Sequence, residues 1–99
     1  KRLEADHIVS MDRITRMDGF EKLTIEQQLE VLNYEDNFVG LSKSANASKG
    51  AKTYEDWTLY KKTGVPIDSA FRAEMMMKEK KLERLLQGMI DNFVKYNGG

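Results

Sequence analysis

The chain has 99 residues, a length that suits one domain with a single modest hydrophobic core. Hydrophobic residues make up 40% and charged residues 32%, which excludes global disorder, and no apolar run approaches the roughly 18 residues of a membrane-spanning helix. Cysteine is absent and the formal net charge is zero. Disulfide scaffolds, cysteine-based zinc ribbons and strongly basic nucleic-acid binders are therefore excluded, and any nucleic-acid site must be a local patch.

The beginning of the chain predicts a strand over residues 4–11. This segment is short and carries isoleucine and valine next to the Asp6-His7 pair, and His7 is the only histidine in the chain. The polar stretch DRITRMDG follows as a connection, with Gly19 as its turn residue.

The next segment predicts a short helix over residues 25–33. Thr24 is a candidate N-cap, and Gln27 three residues later completes a capping-box pattern. Ile25, Leu29 and Leu32 then recur at helical spacing, with glutamine and glutamate between them.

A second strand and a third element are predicted in the sequence FVGLSKSANASKG. The apolar run at residues 38–41 is compatible with a strand. The alanine-, serine- and lysine-rich stretch behind it predicts a helix over 42–49, which ends at Gly50 because glycine commonly terminates helices in a left-handed conformation.

The remainder of the chain is predicted to be mostly helical. Thr53 with Asp56 resembles a cap that opens a helical segment in TYEDWTLYKKTG, which Gly64 and Pro66 interrupt. A long amphipathic helix begins at Asp68 or the next residue and runs to about residue 96, with apolar positions spaced by three, four or seven.

Four polar residues in three of these elements form a candidate catalytic group: Asp6, His7, Asn37 and Asn46. If the two strands pair and the short helix packs on them, Asp6, His7 and Asn46 converge. Aspartate and asparagine supply the hard oxygen ligands that suit Mg²⁺. A neutral imidazole beside them can take a proton from water, so the group has the parts that phosphodiester hydrolysis requires.

ADHIVS followed by DNFVGLSKSANASKG resembles the signature of the HNH (ββα-metal) nuclease family, in its H-N-N variant. The family pattern has an Asp-His pair on the first strand, a central Asn before the second strand, and a His or Asn on the helix near a Lys-Gly pair. The nine-residue step from Asn37 to Asn46 is also the one expected in the HNH domains of RNA-guided CRISPR nucleases. The resemblance covers residues 4–52, and the long segment between His7 and Asn37 puts the strand register in doubt.

The resemblance implies an α+β fold, with a ββα-metal core at 4–52, a helical insertion within it and a C-terminal helical extension at 53–97 in one nuclease domain. It implies that His7 is the general base and that Asn37, the second catalytic residue, orients the histidine loop. Asp6 and Asn46 would hold a divalent metal, Mg²⁺ before Mn²⁺ and with Zn²⁺ disfavoured. Lys43, Lys49 and Lys52 are candidate substrate-binding residues.

The function expected from this resemblance is largely nonspecific cleavage of DNA rather than RNA. A domain that starts at Lys1 rather than Met and ends in a short polar tail resembles the C-terminal toxin domains of bacterial polymorphic or contact-dependent inhibition systems. Such a domain would act in the cytoplasm of a target bacterium and bind a cognate immunity protein; otherwise it would be intracellular. Two alternatives stay open: an RNA-cleaving toxin on the same scaffold, and a non-enzymatic module that docks through its C-terminal helix.

Overall fold

The structure is a computed structural model that describes residues 2–98 of the chain. It is an α+β fold in which a two-stranded antiparallel sheet is combined with helices, as predicted. The elements in chain order are β1 (Leu3–His7), α1 (Met11–Thr15), α2 (Ile25–Leu32), β2 (Phe38–Ser42), α3 (Lys43–Lys49) and α4 (Ser69–Tyr96), with 3₁₀ turns at Phe20–Lys22 and Glu35–Asn37. Within residues 2–98, no helix has both the length and the apolarity needed to cross a bilayer.

The two strands pair over their whole length. Leu3 lies opposite Ser42, Asp6 opposite Val39, and His7 opposite Phe38. The helix α3 follows β2 directly and contacts both strands. The long segment between the strands therefore does not disturb the register, because it folds as a separate helical insertion that leaves and re-enters the sheet at His7 and Phe38.

The insertion contains one helix that the sequence did not predict. α1 lies in the stretch DRITRMDG, which was expected to be a connection, and Ser10 caps it by accepting a hydrogen bond from the Arg13 N–H at 3.2 Å. The second helix, α2, has the predicted capping box, with Thr24 and Gln27 each bonding the other's backbone N–H.

The insertion is attached to the far end of α4. Gly19 has a φ of 87°, and a Cβ there would lie 3.1 Å from the Val94 side chain, so a larger residue would be strained and crowded. The side-chain amides of Gln27 and Asn97 bond each other reciprocally at 3.0 and 2.8 Å. These contacts fix the start of α2 and the turn at Gly19 against the end of α4.

The long helix α4 begins and ends as predicted. Asp68 is its N-cap and accepts from the Phe71 N–H at 2.9 Å. Its buried positions recur every three or four residues and form one stripe along the core: Met75, Glu79, Leu82, Leu86 and Ile90. Four of them are apolar, and Glu79 is the exception.

The predicted helix in the segment 53–64 is wrong. Thr53 does cap a single turn, with its hydroxyl accepting from the Asp56 N–H at 3.1 Å, but the chain then leaves the helical path. Trp57 is buried and donates from Nε1 to the Ser48 hydroxyl at 3.0 Å, and Leu59 forms an isolated bridge with Pro66. The hydrogen bond from the Trp57 indole to α3 therefore outweighs the local sequence signals that favour a helix in this segment.

Candidate active site

Asn37 holds the loop that follows the histidine. It is completely buried, its Oδ1 accepts from the Val9 N–H at 2.8 Å, and its Nδ2 donates to the Val9 carbonyl at 2.9 Å. Its own carbonyl accepts from the Ile8 N–H at 2.8 Å. Three hydrogen bonds thus continue the strand pairing past the end of the sheet and fix the backbone next to His7.

His7 is held in one orientation by the insertion. Its Nε2 lies 2.9 Å from the carbonyl oxygen of Leu32, at the last residue of α2. A carbonyl can only accept, so Nε2 carries the proton, and in a neutral imidazole Nδ1 then has the free lone pair. The Phe38 ring, 4.3 Å away between centroids, packs against the imidazole. The site therefore presents a histidine ring that is held in one orientation.

Asp6 faces a buried lysine across the interface between β1 and α3. The Lys49 Nζ lies 3.6 Å from the Asp6 Oδ2, which allows an ion pair but is too long for a hydrogen bond. The Lys49 side chain is 0% exposed and that of Asp6 14%. Both atoms are buried and neither has a hydrogen-bond partner within residues 2–98. Burial raises the pKa of Asp6, and the Lys49 ammonium opposes part of that rise.

Tyr54 and Glu79 complete the surroundings of the lysine. The Lys49 ammonium lies 4.8 Å from the centroid of the Tyr54 ring, a cation–π geometry. The Tyr54 N–H bonds both carboxylate oxygens of Glu79, at 3.2 and 3.3 Å. Burial raises the pKa of Glu79, and this hydrogen bond opposes the rise. One buried cation thus lies among Asp6, a phenol ring and a second carboxyl group.

Asn46 contacts the same strand one step further along. Its Nδ2 donates to the Glu4 Oε1 at 2.9 Å, which leaves its own Oδ1 as an acceptor for a cation. Glu4 and Asp6 are two residues apart on β1 and share a face, while Asn46 and Lys49 are three apart on α3 and also share a face. The structure therefore brings Asp6 and Asn46 to one interface, where each has another partner.

Sequence reasoning missed Glu4, although a detectable signal existed. The two-residue period of a strand places Glu4 on the same face as Asp6, so any helix that covers one carboxylate also meets the other. It also missed Ser10 and Asp12, which line a cleft of about 250 Å³ together with Asp6 and His7. Gly50 and Ala51, just after α3, form another part of the wall of this cleft.

The three lysines predicted to bind substrate differ in their surroundings. Lys43 and Lys52 are exposed, as a phosphate contact requires. Lys49 is not available in this conformation, because its ammonium is fully buried against Asp6 and Tyr54. The sequence could not separate the three, since the burial of a lysine depends on tertiary packing and not on its local pattern.

The donor set suits an oxygen-preferring cation better than zinc. Asp6 has a buried carboxylate oxygen that forms the ion pair with Lys49 but accepts no hydrogen bond, and Asn46 has an amide oxygen; both match the ligands of Mg²⁺ or Mn²⁺. Among residues 2–98, no three His, Cys, Asp or Glu side chains form a cluster that could hold a metal ion by themselves. Waters and substrate oxygens would have to complete the coordination.

No family model, curated protein or solved structure was found to match the chain.

Proposed function

We propose that this domain is a metal-dependent nuclease of the HNH type that hydrolyses phosphodiester bonds, with DNA as the preferred substrate. The observation that carries the proposal is the pair of anchors on the histidine. Asn37 fixes the backbone beyond His7 through Val9, and the Leu32 carbonyl fixes the imidazole. A general base must be held in a fixed orientation towards the proton that it accepts, and these two anchors hold His7 in that way.

In this proposal His7 accepts a proton at Nδ1 from the attacking water, since Nε2 already donates to Leu32. The imidazolium that results keeps its Nε2–H bond to the carbonyl, so the ring does not reorient during the step. Asp6 and Asn46 would hold the divalent cation, which when bound supplies charge stabilisation at the phosphate. Asp6 and His7 line one cleft, and Asn46 is not among its lining residues.

The proposed role of Lys49 differs from phosphate binding. Its ammonium sits against the Asp6 carboxylate and neutralises that charge inside the domain. The ammonium opposes the rise in the Asp6 pKa that burial causes, and it holds the carboxyl group near α3, where it could act as a ligand. Lys43 and Lys52 stay the candidates for contacts with the nucleic-acid backbone.

Cleavage assays with a metal panel test this function. Purified domain is incubated with supercoiled plasmid, and separately with tRNA and rRNA, in Mg²⁺, Mn²⁺, Zn²⁺ or chelator. We expect plasmid cleavage with Mg²⁺ or Mn²⁺ and none with chelator. Cleavage confined to RNA would favour the RNA-cleaving toxin, and no cleavage of any substrate under any metal would contradict the proposed function.

The ligand assignment has its own measurement, titration calorimetry with Mn²⁺. Asp6→Ala and Asn46→Ala are each expected to lose both metal binding and cleavage. Asn92→Ala, an exposed asparagine on α4, is the matched control and should keep both. Wild-type metal binding by Asp6→Ala would contradict the assignment of this residue.

We further propose that the domain acts as a toxin in bacteria and is neutralised by a specific immunity protein, a setting supported by the sequence resemblance. Induced expression in the bacterial cytoplasm is expected to stop growth and to degrade the chromosome. Expression of His7→Ala at the same level should be harmless. Equal toxicity of the two proteins would contradict this setting.

A further inference from the structure

A second surface feature lies beside α3, and its lining residues differ from those of the cleft that Asp6 and His7 share. Two adjoining clefts, of about 260 and 480 Å³, share Ser44, Ala47 and Lys62 among their lining residues. They form one groove, which we call the α3 groove. Four cations line it, namely Arg2, Lys43, Lys61 and Lys62.

All charged residues that line the α3 groove are positive. None of its lining residues is acidic, although the chain as a whole has equal numbers of acidic and basic residues. All four cations are exposed, and within residues 2–98 none of them forms an ion pair. Cations concentrated without counter-charges produce a positive potential that favours a polyanion.

The floor of the groove is apolar and its walls are fixed. Ala47 and the ring of Tyr60 line it below the charged side chains. The Ser48 hydroxyl accepts both from Trp57 Nε1, at 3.0 Å, and from the Lys61 N–H, at 3.1 Å. The segment that carries Lys61 and Lys62 is thus attached to α3, so the groove exists before any ligand arrives.

The groove continues from the candidate active site. Ala47, near the end of α3, lines the groove, and Gly50, the residue just after α3, lines the cleft shared by Asp6 and His7. On the sheet side, Asp6 is four residue steps along extended chain from Arg2, which is about 13 Å. One strand of nucleic acid in the cleft would therefore pass into the groove a few nucleotides later.

We infer that the α3 groove binds the sugar-phosphate backbone of the substrate strand beyond the cleavage point, with Lys43, Lys61, Lys62 and Arg2 contacting successive phosphates. The apolar floor receives sugar and base surfaces, as in other sequence-tolerant strand-binding grooves. This inference rests on the proposed nuclease function and adds Arg2, Lys61 and Lys62 to it. It also makes binding independent of base sequence, since phosphates carry no sequence information.

The test measures binding apart from cleavage. In a His7→Ala background, fluorescence anisotropy records the affinity for a fluorescein-labelled DNA duplex and for the corresponding single strand, over a series of salt concentrations. Replacing Lys43, Lys61 and Lys62 by Gln should lower the slope of log K against log salt by about 2–3 and weaken binding about tenfold at moderate salt.

The matched control removes the same charge elsewhere. Gln at Lys22, Lys80 and Lys95, all exposed and outside the groove, gives an identical net charge and should change the slope by less than about 1. Equal slopes for the two triple variants would overturn the inference, and would leave the groove to another partner such as an acidic protein. Because wild-type cleavage is scored separately, that result would not touch the nuclease proposal.

Discussion

Asn37 makes two side-chain hydrogen bonds to Val9 and one backbone hydrogen bond to Ile8, and no local sequence pattern predicts these contacts. Replacing it by Ala leaves the Val9 N–H and carbonyl buried without partners, and each such loss costs about 1–3 kcal/mol. We expect Asn37→Ala to lower the free energy of unfolding by about 2–5 kcal/mol in urea titration. Asn37→Asp keeps the acceptor for the Val9 N–H and should lose less. An unchanged midpoint for Asn37→Ala would contradict the anchoring role.

Lys49 and Asp6 are predicted to depend on each other. Lys49→Met keeps the apolar stem but leaves the Asp6 carboxylate buried without a counter-charge, so we expect a loss of about 3 kcal/mol in unfolding free energy at neutral pH. Adding Asp6→Asn removes the uncompensated charge and should restore part of that loss. Lys52→Met, at an exposed lysine, is the control and should change stability by less than about 0.5 kcal/mol. Additive effects of Lys49→Met and Asp6→Asn would show that the two side chains are not coupled.

At the scale of elements, the insertion and α4 support the site from a distance. α2 supplies the Leu32 carbonyl that orients His7, and the Gln27–Asn97 pair ties α2 to the end of α4. The segment between His7 and Asn37 therefore has a structural use, since it contains the helix end whose carbonyl holds the imidazole.

Glu79 on α4 predicts a specific pH dependence. Its carboxyl is buried and its folded-state pKa is raised, so between the unfolded pKa and the folded pKa the native state binds more protons. The free energy of unfolding should therefore fall as pH rises through that interval, and Glu79→Gln should remove this part of the fall while still accepting from the Tyr54 N–H. Urea titrations across pH 4–8 give the difference between the two proteins. A difference that does not change with pH would contradict the raised pKa.

The elements that sequence could predict are those whose signals are local. The Thr24–Gln27 box, the Asp68 cap and the spacing along α4 each act within one or two turns, and the structure has all three. The segment after Thr53 was mispredicted because a distant contact, Trp57 with Ser48, overrides its helical start. The burial of Lys49 and the Glu4–Asn46 bond depend on how α3 sits on β1, which no local pattern encodes.

At the scale of the whole molecule, the net charge is zero, but acidic and basic side chains are concentrated in different parts of the structure. Residues 21–36 carry five acidic side chains and one lysine, whereas the α3 groove has four cations and no acidic residue. A polyanion would be attracted to the α3 groove and repelled from residues 21–36. Zero net charge therefore does not argue against nucleic-acid binding by this domain.

The central claim is that His7 acts as a general base in phosphodiester hydrolysis. The most direct measurement is the rate of plasmid cleavage by wild type and by His7→Ala in the same divalent metal, with Mn²⁺ binding recorded for both by calorimetry. The account predicts that His7→Ala binds metal like wild type and cleaves at least about 100-fold more slowly. Cleavage by His7→Ala at the wild-type rate would contradict it.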